Sequence, residues 1–295
     1  MTKARWLILI FMVACVGAGM VFARRYPGRR NFERGRRDDL RRGVPDWTPD
    51  KEFSDDVFTF VRIRYSSGYG GGYYGGGYGR RGRGRGFSGG NWATDYPDSD
   101  LNFSFRLHQL TSMKVDPEGL ILELTEPELF NYPFIYMLEV GRLVFSEEEV
   151  KCLRKYLLNG GFLMVDDFWG QVAWDNFYYE MKRVFPEKEP IPLKLDHPIF
   201  HCVFELKEKP QIPAIDWAVD RRTDTLTGMT SESGDPPIYY GIYDDKGRMM
   251  VIICRDTDLG DGWEREGESH AYFREFSEKK AYPLGINIVF YAMTH

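Results

Sequence analysis

The residues of this chain best placed to do chemistry are carboxylates. In GGFLMVDDFWG, residues 160–170, four apolar residues run into Asp166 and Asp167, followed by Trp169 and Gly170. Glu139 closes a second apolar run, PFIYMLEV. Carboxylates gathered at one place bind a divalent cation or share a proton as an acid/base pair. Their competing use is structural: capping the next segment and pairing with arginine. Adjacent strand residues point to opposite faces, so Asp166 and Asp167 are not expected both to converge. Glu139, Asp166, Asp167 and Trp169 form the main candidate site.

Three further motifs are weaker. CRDTDLGDGWE, residues 254–264, offers Asp256, Asp258 and Asp261 after another apolar run. Gly260 and Gly267 stand where an EF-hand needs ligands, so the segment reads as a turn held by Asx hydrogen bonds. DHPIFHC, residues 196–202, places His197 and His201 four apart beside Cys202. Pro198 starts a new turn there and no second ligand pair follows, which makes these structural histidines. No metal site is assigned from spacing and no cofactor is named. Nucleophile chemistry finds no GxSxG elbow, and Cys152 falls inside a helical pattern. GYGGGYYGGGYG lacks the Lys-Ser/Thr of a phosphate loop.

The elements that must position the carboxylates are legible. Residues 133–168 read strand, helix, strand. Ser146 and Glu149 stand in capping-box register, Val150, Leu153 and Leu157 make one apolar face, and Gly160-Gly161 stops the helix. FLMVDDF is apolar on both faces, as parallel strands covered by helices are. The unit is therefore a right-handed βαβ crossover, whose strands end on the edge where open α/β sheets bind ligands. Further expectations are a strand at 57–65, a helix at 99–111, and a short strand and a turn over 119–130. The helix has Ser99 as N-cap and Leu101, Phe105, His108 and Leu110 inward. A helix at 174–187 stopped by Pro186, a hairpin over 238–254 turning at Asp244–Gly247, and a last helix from Tyr282 follow.

The 295 residues carry a net charge of −5, but the first ninety are basic and the rest strongly acidic. Lys3 and Arg5 precede an apolar stretch closing at Val21-Phe22-Ala23, so residues 1–23 read as a signal peptide or membrane anchor. The arginines from Arg24 onward resist translocation, yet the ordered n-, h- and c-regions favour export. Residues 24–54 read as a disordered Arg-rich linker. Residues 55–295 read as a single α/β domain with a Gly/Tyr/Arg-rich loop inserted at 66–90. RG repeats in that loop resemble nucleic-acid-binding tracts, but export argues against that partner. The four cysteines show no CxxC and no disulfide framework.

The blocks FVRIRYSSG, GGNWATDYPDSDLNF, ELFNYPFIYMLEVGRLVFSEEEVKCLRKYLLNGGFLMVDDFWG, DHPIFHCVFEL, DTDLGDGWE and LGINIVFYAMTH, in this order over about residues 55–295, resemble the bacterial family known as domain of unknown function 4159. The resemblance implies a class I glutamine-amidotransferase-like fold, a flavodoxin-like α/β sandwich with a mainly parallel sheet, to which the C-terminal β-hairpin is added. Amidotransferases use a cysteine at a nucleophile elbow, and Asp166-Asp167-Phe168-Trp169 stands there instead, so no catalytic residue carries over. The expected function is a non-catalytic binding or scaffold module of the bacterial envelope, periplasmic or otherwise extracytoplasmic. Its Arg-rich linker and loop would engage a polyanion or a protein, with membrane contact at the N-terminus. The alternative is a hydrolase or metal-dependent enzyme using the strand-edge carboxylates.

Overall fold

The computed structural model describes residues 45, 47–48, 57–67 and 91–295. The signal or anchor segment, nearly all of the linker and the loop over 68–90 lie outside the described residues.

The elements are β1 (Val61–Ile63), α1 (Asp98–Leu110), β2 (Leu120–Leu122), β3 (Phe134–Leu138), α2 (Glu147–Leu158), β4 (Phe162–Asp166), α3 (Gly170–Val184), β5 (Ile191–Pro192), α4 (Ile215–Ala218), β6 (Val219–Asp220), β7 (Thr225–Leu226), β8 (Ile238–Tyr243), β9 (Met249–Arg255), α5 (Leu259–Glu264), α6 (His270–Tyr272) and α7 (Tyr282–Thr294). Among the described residues, seven strands form one sheet in the order β2-β1-β3-β4-β9-β8-β5, and β6 and β7 form a separate antiparallel pair. From β2 to β9 every pairing is parallel, with Leu138 opposite Asp166 and Val165 opposite Ile253. The expected βαβ unit is present, and its strand ends lie side by side.

The apolar runs alternate between two cores because successive strand side chains face opposite ways. Phe162 and Met164 enter the core covered by α1, α5 and α7, whereas Leu163 and Val165 enter the core covered by α2 and α3. That is why β4 reads as apolar on both faces. The capping box at Ser146 forms as expected: its hydroxyl accepts from Glu149 N, and Glu149 returns a bond to Ser146 N.

Three local expectations change. The 238–254 hairpin is not an appendage, because β9 pairs with β4 and is the fifth parallel strand. Ser99 does not cap α1. It sits inside the helix, buried, with its hydroxyl accepting from Arg62 Nη2 at 2.9 Å. His108 and Leu110 are exposed, and Phe103 and Leu107 occupy the inner face instead. The cause is Asp100, which α1 turns inward to meet Arg62. The fully buried Arg62 bonds Asp100 through Nε, the Trp92 and Thr94 carbonyls through Nη1, each at 2.9 Å, and Ser99 through Nη2. A guanidinium is tolerated in a core only when its donors are met in this way. His108 stacks outside on Trp47, with ring centroids 5.4 Å apart.

The β1–α1–β2 connection leaves β1 towards one sheet edge, and β3–α2–β4 leaves towards the other across the opposite face. The carboxyl ends of β1 and β3 thus flank a topological switch point, the usual ligand crevice of open α/β sheets. Among the described residues, no helix is long and apolar enough to cross a membrane.

Candidate metal centre

Three neighbouring parallel strands each hand the chain to an acidic residue in left-handed backbone conformation: Glu139 (φ 53°) after β3, Asp167 (φ 50°) after β4 and Asp256 (φ 58°) after β9. Asp95, before α1, is a fourth (φ 61°). Aspartate tolerates this region better than most residues, yet each such position carries a backbone cost of about 1–2 kcal/mol. Backbone bonds hold the turns together. Glu139 N donates to Asp167 O at 3.0 Å, and Asp256 N to Phe168 O at 3.1 Å. The strained residues therefore form a connected rim.

Asp166 and Asp167 take different roles, as strand alternation requires. Asp166 is fully buried, and its Oδ2 accepts from Tyr136 Oη (3.1 Å), Leu259 N (2.9 Å) and Gly260 N (3.1 Å). It fastens the start of α5 to the sheet. Burial nonetheless pushes its carboxyl up to about 7, because these donors offset only part of the desolvation. Asp167 turns to the rim, where its Oδ1 accepts from Trp169 Nε1 at 3.0 Å.

Asp167 meets Asp95 and Asp258, one ligand oxygen from each lying within 4.8 Å of the others. A second triad, Asp95, Asp261 and Glu264, satisfies the same limit, so Asp95 is common to both. Asp95 Oδ2 is buried and receives no hydrogen bond. A Cβ at Gly260 would collide with this oxygen and crowd Tyr136 Oη and Asp258 Oδ1, so glycine there lets the three groups approach one another.

Charge separates the triads. Asp261 and Glu264 pair with Arg265, whereas among the described residues Asp95, Asp167 and Asp258 make no ion pair with Lys or Arg. Burial holds all three of those carboxyls well above the usual range. Glu264 and Asp261 add to the effect at Asp95, Glu139 and Asp95 at Asp167, and Asp167 and Asp261 at Asp258. Such a cluster is neutralised by protons or by a cation. An all-oxygen set with an unsatisfied, buried acceptor suits a hard divalent ion.

The remaining residues frame this centre. Glu139 is half-buried at the rim, where Asn91 Nδ2 donates to its Oε2 at 3.1 Å, and burial raises its pKa. Trp169 precedes α3 and is tied to Asp167. Asp256 is a structural latch: its Oδ1 accepts from Gly170 N (2.8 Å) and Ser233 Oγ (2.9 Å), and its Oδ2 pairs with Arg255. Asp258 caps α5 by accepting from Asp261 N at 2.7 Å, the Asx bond expected of that turn. His197 lies in another neighbourhood, its ring against Tyr291 and its Nε2 at 3.2 Å from Tyr243 Oη.

Sequence reasoning missed Asp95, Glu264 and Glu232. Glu232, on the loop that Ser233 anchors to Asp256, has its carboxyl pushed up to about 7 by partial desolvation, then by Asp261 and Glu139. Asp95 reaches the cluster through the packing of α1 on α5, where Asn102 Nδ2 donates to Trp263 O at 2.8 Å. No local pattern reveals that contact. The available signal was an acidic residue in NWATDYP, a segment without helical or strand periodicity.

Fold and site together define an open, mostly parallel α/β sheet with a buried carboxylate cluster at its carboxyl edge. Residues 78–293 match the family described as Domain of unknown function (DUF4159), and the chain belongs to that family. No curated protein matches the chain.

Proposed function

We propose that the chain is a divalent-cation-dependent enzyme of hydrolytic type, with Asp95, Asp167 and Asp258 as ligands. The observation that carries this reading is Asp95 Oδ2, a buried acceptor without a hydrogen-bond donor, set beside Asp167 and Asp258, with which, among the described residues, no Lys or Arg forms an ion pair. The oxygen donors favour Mg²⁺, Mn²⁺ or Ca²⁺ over softer ions. Such an ion would lower the pKa of a bound water, and Glu139 at the rim would accept its proton. Asp166 holds α5, and hence Asp258, at the right height. Hydrolysis of aryl phosphate, carboxyl ester and amide probes by the full chain should depend on added Mn²⁺ or Mg²⁺, stop with EDTA and disappear in Asp95→Asn. Turnover unaffected by EDTA would refute the reading.

The order β2-β1-β3-β4-β9 is that of flavodoxin-like sheets and supports the expected amidotransferase-like ancestry. Amidotransferase activity is not part of the proposal: Asp167 stands at the strand-to-helix turn, and Cys152, Cys202 and Cys254 lie elsewhere. Export, supported by residues 1–23, would place the enzyme outside the cytoplasm. The basic N-terminal third supports an additional envelope-binding role, which deletion of residues 66–90 would test through loss of polyanion binding.

A further inference from the structure

We infer that Arg265 occupies the place of a second cation, so that this centre takes one divalent ion and not two. The inference rests on the cation reading above. Two triads sharing one carboxylate are the arrangement of a two-ion site, with Asp95 as the bridging ligand. The triads are not equivalent. Arg265 Nε lies 2.6 Å from Glu264 Oε2 and 3.1 Å from Asp261 Oδ1, between two of the three second-triad ligands. Its Nη1 is held by Glu268 at 3.1 Å, and the other oxygen of Asp261 accepts from Ile215 N at 2.7 Å. Two of the three ligands of the second triad are therefore already engaged, Asp261 by hydrogen bonds and Glu264 by the ion pair, with a charge that no physiological pH removes. A dication entering there would have to displace the guanidinium from both carboxylates at once.

The consequence is chemical. Asp95 would join the Arg265-paired carboxylates to the residues that would hold the exchangeable ion, Asp167 and Asp258. Single-ion activation of water follows, rather than the paired-ion clamp on entering and leaving oxygens used for in-line phosphoryl transfer.

The test is the number of Mn²⁺ ions bound per full chain by equilibrium dialysis at neutral pH, with circular dichroism as the check of folding. The native chain should bind one ion, Arg265→Gln should bind a second, and Arg265→Lys should stay at one. Two ions in the native chain, or one in folded Arg265→Gln, would overturn the inference and leave the cation reading standing. No bound ion in the native chain would overturn both. If Arg265→Gln does not fold, two other variants decide. Asp258→Asn should weaken Mn²⁺ binding by at least ~10-fold and Glu264→Gln by less than ~3-fold, since ligand charge sets affinity. The opposite order would put the ion in the triad of Arg265 and contradict the inference.

Discussion

At the residue scale, the buried carboxylates of the cluster hold one another's pKa values up, which costs the cation-free chain stability. Asp258→Asn keeps the cap acceptor for Asp261 N but removes one of several crowded charges. It should raise the stability of the cation-free chain by about 1 kcal/mol in urea unfolding while weakening the response to Mn²⁺. A loss of stability would mean that the carboxylate is held by partners other than those described. Glu139→Gly should likewise gain about 1 kcal/mol, because glycine adopts the left-handed conformation without steric cost. The pH dependence follows from Asp166, whose carboxyl titrates near 7 in the folded chain against 3.8 in its ordinary state. Between those values the native state holds a proton that the unfolded chain has released. With EDTA present, the Asp166 contribution should therefore fall as pH rises from 4 to 7 and level off above, by on the order of 1–4 kcal/mol. The difference in stability between the native chain and Asp166→Asn at pH 4.5 and 7.5 reads this directly. A difference independent of pH would contradict it.

At the element scale, the strand ends do the positioning and α1 supplies the ligand that the strands cannot. Arg62 ties β1 to α1 and holds the Trp92 and Thr94 carbonyls in the segment that leads into Asp95. Arg62→Met should cost about 3–5 kcal/mol, because Asp100 is left as an unpaired buried charge. Arg154→Ala, which removes a half-exposed pair with Glu187, should cost no more than about 1 kcal/mol from that ion pair. Equal effects in thermal unfolding would refute the proposed anchoring role. These elements also mark what the sequence could reveal. The β3–α2–β4 unit was readable because its signals are local: a capping box, a heptad-like apolar face, a Gly-Gly stop and an unbroken apolar strand. Glu139 and Asp167 came with it, since parallel strands end together. Asp100 broke the reading of α1, because a buried ion pair across 38 residues of sequence inverts the rule that charges face outward. Asp95 and Glu264 were hidden for a related reason: their convergence depends on α1 packing against α5, far away in the chain.

At the scale of the whole molecule, an acidic domain follows a basic N-terminal third, and Asp166, Asp167 and Asp256, all buried, lie at the carboxyl edge of a mostly parallel sheet. The hairpin strand β9 joins that sheet beside β4, so residues 254–264 carry three of the five clustered acids to a rim begun by β3 and β4. Cation binding should thus stabilise the domain as a whole, since its ligands come from the approach to α1, the end of β4 and the start of α5. The most direct measurement is the thermal unfolding midpoint of the full chain at neutral pH, with EDTA and with Mn²⁺ or Mg²⁺ at about 100 times Kd. A ligand specific to the folded state adds about 2.7 kcal/mol there, which for a domain of this size raises the midpoint by several degrees. The account predicts that rise in the native chain and a rise of no more than about half that size in Asp258→Asn at the same ion concentration. No shift in the native chain, or the same shift in both, would contradict it.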